Sequence, residues 1–428
     1  MAAVKANKKA VIFIVLFVFF LGAFFAHKSR APKRGYSDFH CYYTAGKRIL
    51  AGDNIYVIKD SQVAEFRYSP LFAVIMSGLA ILDEDSADSL WFTLNYLLLA
   101  VTFFFAFKLA GFFELSAGNK ALFSLLALLG AGRFIFHNFD TGQANILMLA
   151  SLICGLNYAK ENKCLPAASL MALAVMIKYT PVIFLPYFIL RKRIKLAVFF
   201  AIFIAVYLLL PAVCIGLENN ASYIKNMFSF LTQSSILEKT TLLDPKNQSL
   251  LSLVHRACSY YTMLGHYSIP PMPFKINLSD SAINMIFSVF ALIMYLSILW
   301  KPKRSQFNAA KDHSFYENID YSLLFICVIL FNLNAWIHNY IFLLLPYLIL
   351  IFYLIKTRFS DPIALGILLC SYLLNSLTLK ACLGKAISYK AHFYSPHTFA
   401  ALILFFLLLR IKFSRRKYSY DQERQGYK

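Results

Sequence analysis

Short polar stretches interrupt an otherwise apolar chain, and their residue types could do chemistry. In Tyr36-Ser37-Asp38-Phe39-His40-Cys41-Tyr42-Tyr43 a carboxyl stands among aromatic rings. Asp38 could serve there as a general base, although capping a helix is the commoner task of such an aspartate. Lys178 lies inside an apolar run, followed by Tyr179-Thr180-Pro181. A buried ammonium is costly and usually faces a cavity or an anionic partner, and this one is too far from either end of its run to snorkel easily. Phe139-Asp140-Thr141-Gly142-Gln143-Ala144-Asn145 reads as the opening of a helix. Free amides at such a start suit a phosphate, while Thr141 or Asn145 could equally be simple caps. Trp336-Ile337-His338-Asn339-Tyr340 has the composition of a membrane-interface belt, with His338 able to cap a helix or donate to an anion. Asn247-Gln248-Ser249 with His255 and Arg256 offers a bidentate guanidinium, for which an exposed loop position is the ordinary reading.

What is missing narrows the field. The sequence contains no P-loop lysine motif, no glycine-rich dinucleotide turn, no His-Glu-x-x-His and no paired cysteines. Nucleotide-driven transport is therefore not expected, and neither a metal site nor a cofactor is expected.

Long apolar elements must position these residues. Of 428 residues 59% are hydrophobic and 15% charged, an excess that a water-soluble core cannot absorb. At ~20 residues per span the apolar fraction supplies about ten to twelve spans. An all-α, polytopic transmembrane bundle follows, a single integral membrane domain over 1–428. Apolar runs fall at 10–26, 71–82, 90–110, 121–136, 146–159, 165–190, 196–215, 282–300, 321–333, 340–355, 363–379 and 399–411. The net charge of +21 would suggest nucleic acid in a soluble protein; here the basic residues cluster in short loops, so the bilayer is the expected partner and nucleic acid is not.

Those clusters orient the chain. The first run follows Lys5, Lys8 and Lys9 and has no small-residue cleavage site after it, so it reads as a retained helix with a cytoplasmic N-terminus. Arg191-Lys192-Arg193, Lys301/Lys303/Arg304, Lys356/Arg358 and the basic tail at 412–428 read as cytoplasmic. Segments 27–68 and 217–280 then lie on the far side. The first of these breaks the charge rule with Lys28, Arg30, Lys33, Arg34, Lys47 and Arg48, either because the rule is only a bias or because the loop attracts an anionic headgroup. Run 71–82 is short and is expected to dip in and return. Counting every run as a full crossing would put Gly142-Gln143 in the cytoplasm; the preferred count breaks run 165–190 at Pro181 into two half-helices, which places Gln143 and Asp83-Glu84-Asp85 outside and Lys160 and Lys163 inside. On these grounds alone a transporter ranks first.

The ordered set of motifs adds a different reading. Asp38-Phe39, Tyr42-Tyr43, Ala45-Gly46, Gly52, Tyr56 and Tyr68-Ser69-Pro70 are followed by Gly142-Gln143-Ala144-Asn145, Ile177-Lys178 with Pro181, Asn247-Gln248-Ser249 and Trp336-x-His338. Over roughly 10–350 the chain resembles the polyprenol-phosphate-mannose-dependent α-mannosyltransferases of the C-type glycosyltransferase superfamily. It departs from them in having Ser69-Pro70 for paired prolines and Asn332-Leu333-Asn334-Ala335 for the Ser-Pro before the Trp-His pair. The resemblance implies a membrane glycosyltransferase of a bacterial plasma membrane, moving a hexose, mannose first, from a polyprenyl-phosphate donor to an extracytoplasmic lipid or glycan acceptor with inversion. It implies Asp38 as base, and Lys178, His338, Gln143, Asn145 and Arg256 on the donor phosphate. Tyr42, Tyr43, Tyr68, Gln248 and Trp336 would line the pocket. The rivals are a related transferase for another sugar, a transporter or lipid flippase, and a ligase of whole glycans.

Overall fold

In the computed structural model the described residues are 22, 38–56, 65–232, 239–258, 263–264, 267–268, 278–300, 310–376 and 378–414. The expected first helix at 10–26 (Gly22 apart), the basic residues at 28–34, Lys301, Lys303, Arg304 and the tail beyond 414 lie outside them. In chain order the helices are α1 (Asp38–Ala51), α2 (Pro70–Leu79), α3 (Glu84–Leu109), α4 (Ala117–Thr141), α5 (Asn145–Lys160), α6 (Cys164–Ile177), α7 (Phe184–Leu190), α8 (Ile194–Leu209), α9 (Ala212–Ile215) and α10 (Leu217–Thr232). They continue as α11 (Lys239–Leu243), α12 (Leu250–Cys258), α13 (Asp280–Leu299), α14 (Ala310–Leu330), α15 (Leu344–Lys356), α16 (Pro362–Ser376), α17 (Lys380–Phe393) and α18 (Pro396–Phe413). A two-residue hairpin pairs Met263–Leu264 with Tyr267–Ser268.

Among the described residues six helical stretches are long and apolar enough to cross a bilayer, and four shorter apolar helices accompany them. Val198, Ile202, Val206 and Leu209 on α8, like Met285, Val289, Leu292 and Leu296 on α13, form bare apolar stripes that water would not tolerate and lipid requires. The chain is an all-α, polytopic integral membrane protein. At ten residues α2 rises only ~15 Å and is too short to cross. Run 165–190 breaks where expected: α6 stops at Ile177, Lys178 is extended (φ −144°, ψ 136°), and a 3₁₀ turn over Thr180–Ile183 leads into α7.

The described residues gather into two compact units, the first within Met1–Phe104, Ile135–Tyr179 and Val198–Thr232, the second within Phe105–Phe134, Thr180–Ala197 and Gln233–Lys428. Two features organise the first. Gly46 of α1 lies so close to α2 that a Cβ there would stand 2.7 Å from the Met76 carbonyl, which explains a glycine in mid-helix. Helices α5 and α6 form a tight hairpin lined by Ala167, Ala168, Ala172 and Ala174, all fully buried. Its turn runs through Glu161 and Asn162 (φ 58°). The hairpin brings the start of α5 and the end of α6 to one level, opposite the turn that carries Lys160 and Lys163.

In the second unit the 3₁₀ turn Ile337–Leu343, buried from His338 on, leads into α15, which is buried from Leu344 to Ile355. One end of this unit is a network of ion pairs. Asp320 binds Arg191 (2.5 Å) and Lys412 (2.7 Å), Glu317 binds Arg193 (2.6 Å), and Asp361 binds Arg410 (2.8 Å). Arg191 and Lys412 also donate to the Ile298 carbonyl. Arg191 and Arg193 after α7 and Arg410 and Lys412 of α18 thus meet at one end of the unit.

Candidate active site

The first unit builds a polar site from four pieces of chain. Asp38 is the first residue of α1 and is half-buried. Its Oδ2 accepts a hydrogen bond from Gln143 Nε2. Gln143 is buried, and its Oε1 accepts from the Tyr42 hydroxyl at 3.3 Å. The Tyr42 and Tyr68 hydroxyls are 2.6 Å apart. Lys178 Nζ donates to Asn145 Oδ1 (2.7 Å), and Asn145 Nδ2 donates to Asn138 Oδ1 (3.0 Å). The site thus holds one carboxyl approached by an amide N–H and one ammonium approached by an amide carbonyl.

Electrostatics couple the two charges. Burial pushes the Asp38 carboxyl above its ordinary range, while the Lys178 ammonium and the Gln143 amide pull it back. An aspartate held in this way is a better proton acceptor than a free one, provided the pH is high enough to ionise it.

The surrounding helices fix Asp38 through contacts that do not touch it. Glu84 Oε1 lies 2.6 Å from His40 Nδ1, and the Tyr43 hydroxyl donates to the Leu82 carbonyl (2.9 Å), so the start of α3 anchors α1. Trp91 Nε1 donates to the Gly142 carbonyl at 2.9 Å and its ring stacks on Phe39. This corrects the expectation for 139–145. Residues 139–141 end α4, and the Gly142 and Gln143 amides bond back to Phe139 and Asn138 in the pattern of a left-handed helix stop. Thr141 donates to the His137 carbonyl, and α5 begins at Asn145 without a side-chain cap.

Gly142 has φ +66°, and a Cβ there would lie 2.7 Å from Phe39 Cβ. Gly142→Ala is expected to lower stability by about 3 kcal/mol, combining backbone strain with overpacking. It should also displace Asp38 through its neighbour Phe39. Thermal unfolding in detergent checks this, with Gly132→Ala, which meets nothing within 4 Å, as the neutral control.

The remaining expected residues lie in the second unit. Arg256 is not an exposed loop arginine but a buried one, donating to the Asp244 and Asn247 carbonyls (both 2.9 Å) and to Ser395 Oγ, with its guanidinium over Phe393. Gln248 is also buried, its Nε2 donating to the Pro245 and His392 carbonyls at 2.6 and 2.7 Å. The Tyr340 and Thr398 hydroxyls donate to its main-chain carbonyl. Asn247 ties the same loop to the Leu333 carbonyl and the Ala335 amide. Trp336 is partly exposed, stacked on the buried His338, with Lys246 Nζ 5.5 Å over its ring. Asp38, Tyr42, Tyr68, Gln143, Asn145 and Lys178 therefore converge within one unit, and Gln248, Arg256, Trp336 and His338 belong to the other. Sequence reasoning missed Asn138 and Trp91. Asn138 lies in the last turn of α4, where a side chain can reach the next helix, but nothing in the sequence singles out Trp91 as the partner of a glycine carbonyl.

A helical membrane bundle with a carboxylate and a lysine coupled through one polar site defines an integral membrane protein with an ionisable site. A family model for glycosyltransferase family 87 matches residues 66–317, more than half of the chain. The protein belongs to glycosyltransferase family 87 and is a membrane glycosyltransferase. The match takes in Tyr68, Gln143, Asn145, Lys178, Gln248 and Arg256, while Asp38, Tyr42, Trp336 and His338 fall outside it. No curated protein matches the chain.

Proposed function

We propose that the protein transfers a hexose, mannose first, from a polyprenyl-phosphate donor to a lipid or glycan acceptor at the extracytoplasmic face of a bacterial plasma membrane. The observation that carries this reading is that Asp38 and Lys178, each held by its own buried amide, lie in one polar site where the lysine's charge acts on the carboxyl. The acceptor hydroxyl gives its proton to Asp38 as its oxygen attacks the anomeric carbon. The bond from that carbon to the phosphate oxygen breaks, and its electron pair leaves with the polyprenyl phosphate. Lys178 meets the charge that builds on the leaving oxygen. A single base opposite the leaving group inverts the anomeric centre.

The α5–α6 hairpin supports this location. If Lys160 and Lys163 obey the charge bias, Asn145 and Lys178 at the other end of α5 and α6 face the far side. Tyr43 remains a proposed pocket residue of the same unit, while Gln248, Arg256, Trp336 and His338 belong to the other unit and take no part in this reading.

The test uses purified protein in liposomes with labelled polyprenyl phosphate mannose, polyprenyl phosphate glucose or a nucleotide sugar, and a host membrane fraction as acceptor source. Transfer of mannose with inverted configuration is expected. Transfer from the nucleotide sugar alone would overturn the reading, and movement of labelled lipid across the bilayer without a product would return the protein to the transporter class.

A further inference from the structure

We infer that Tyr42 and Tyr68 are positioning residues that decide which atom of Gln143 faces Asp38, and hence which carboxylate oxygen is free to take the acceptor's proton; this rests on the reading of Asp38 as base. The Tyr42 hydroxyl has one proton. Given to Gln143 Oε1 at 3.3 Å, that proton is not available to Tyr68. At 2.6 Å the Tyr68 hydroxyl must then be the donor to Tyr42. The chain runs in one direction: Tyr68 to Tyr42, Tyr42 to the Gln143 carbonyl, and the Gln143 amide N–H to Asp38 Oδ2. Turned over, the amide would set a carbonyl lone pair against an ionised carboxylate, which repels it. The carboxylate also accepts from its own main-chain N–H; with the amide N–H directed at Oδ2, the acceptor's proton is assigned to Oδ1.

The surroundings hold this direction in place. Tyr42 is fully buried, with the Tyr68 and Phe72 rings edge-on at 4.8 and 5.1 Å. The Tyr56 hydroxyl donates to the Tyr68 carbonyl at 2.8 Å. Burial keeps both phenols well above their ordinary range, reinforced at Tyr68 by the Asp38 charge and at Tyr42 by Tyr68 and then Asp38. The groups facing Asp38 are Lys178 at the end of α6, Cys41 and Tyr42 on α1, and Tyr68 before α2. Burial, then Asp38, pushes the Cys41 thiol up to about 12, so the thiol stays neutral.

Asp38 ionisation can be followed without substrate, by pH titration of its carboxyl stretch in infrared difference spectra, assigned by its loss in Asp38→Asn. Tyr42→Phe frees the amide to turn and is expected to raise that titration by about one pH unit. It should also lower kcat roughly 10- to 100-fold, with the KM for polyprenyl phosphate mannose held within about twofold because the phosphate contacts are untouched. Tyr68→Phe keeps the ring and is expected to act in the same direction more weakly; it carries the test should Tyr42→Phe not fold. In a Gln143→Leu background, Tyr42→Phe should add nothing, because the tyrosine acts only through the amide. An unmoved titration in both tyrosine variants, or additive losses with Gln143→Leu, would overturn the inference. The spectrum reads the relay whether or not Asp38 is the base, and turnover of Asp38→Asn reads the base alone, so the two failures are separable.

Discussion

Asp38→Asn is expected to lower transfer by about three orders of magnitude, within the range that a positioned general base supplies. Asparagine keeps the size of the side chain and can still meet the Gln143 amide through its own carbonyl, so the fold should survive. Binding of polyprenyl phosphate should stay within a few-fold of wild type. Measured in liposomes with labelled polyprenyl phosphate mannose, turnover near the wild-type rate would remove Asp38 as the base.

The pH profile carries the same argument further. Burial outweighs the pull of Lys178, so the Asp38 carboxyl ionises above the ordinary carboxylate range. A base works when ionised, and the rate should rise with pH through that point and level off above it. A bound donor phosphate draws on Lys178 and brings negative charge towards Asp38, which raises further the pH at which the carboxyl ionises. The acidic limb of kcat, which reports the loaded enzyme, should therefore lie at higher pH than the limb of kcat/KM.

Particular residues show how far the sequence could be read. The break after α6 was legible because a lysine and a proline within an apolar run have few other uses, and the shortness of α2 was legible from the distance between Pro70 and the acids at 83–85. Composition alone led to the all-α membrane bundle. The resemblance put Asn145 and Lys178 on one phosphate, and chain geometry explains their meeting: helices of 16 and 14 residues flank one short turn, so the first residue of α5 and the residue after α6 must come level. Residues 139–145 were read as a helix start because helix stops and starts use the same glycine and polar residues; only the backbone bonds of Gly142 and Gln143 distinguish them. The burial of Arg256 could not be read at all. Its acceptors are two main-chain carbonyls and Ser395, and a carbonyl leaves no mark in a sequence.

Lys178→Met should act mainly on donor binding. The extended backbone at Lys178 turns its side chain away from the end of α6 and onto Asn145, which is itself held by Asn138. An ammonium so fixed meets a phosphate without having to reorganise, and losing a charge-assisted bond of this kind costs about 1.5–3 kcal/mol, or roughly 10- to 100-fold in donor affinity. Methionine preserves most of the buried volume, so the fold should be retained. A second effect follows from the coupling: without the lysine nothing offsets the burial of Asp38 as strongly, and the acidic limb should move to higher pH. Lys178→Arg should not restore binding, because a planar fork cannot occupy the place of a compact ammonium held against a single amide oxygen. Equilibrium binding of polyprenyl phosphate to the detergent-purified variants measures the first effect and the pH profile the second. If Lys178 served only to tie Asn145 to the end of α6, stability would fall while donor affinity and the acidic limb stayed where they were. A shift in both places the ammonium between the leaving phosphate and the base.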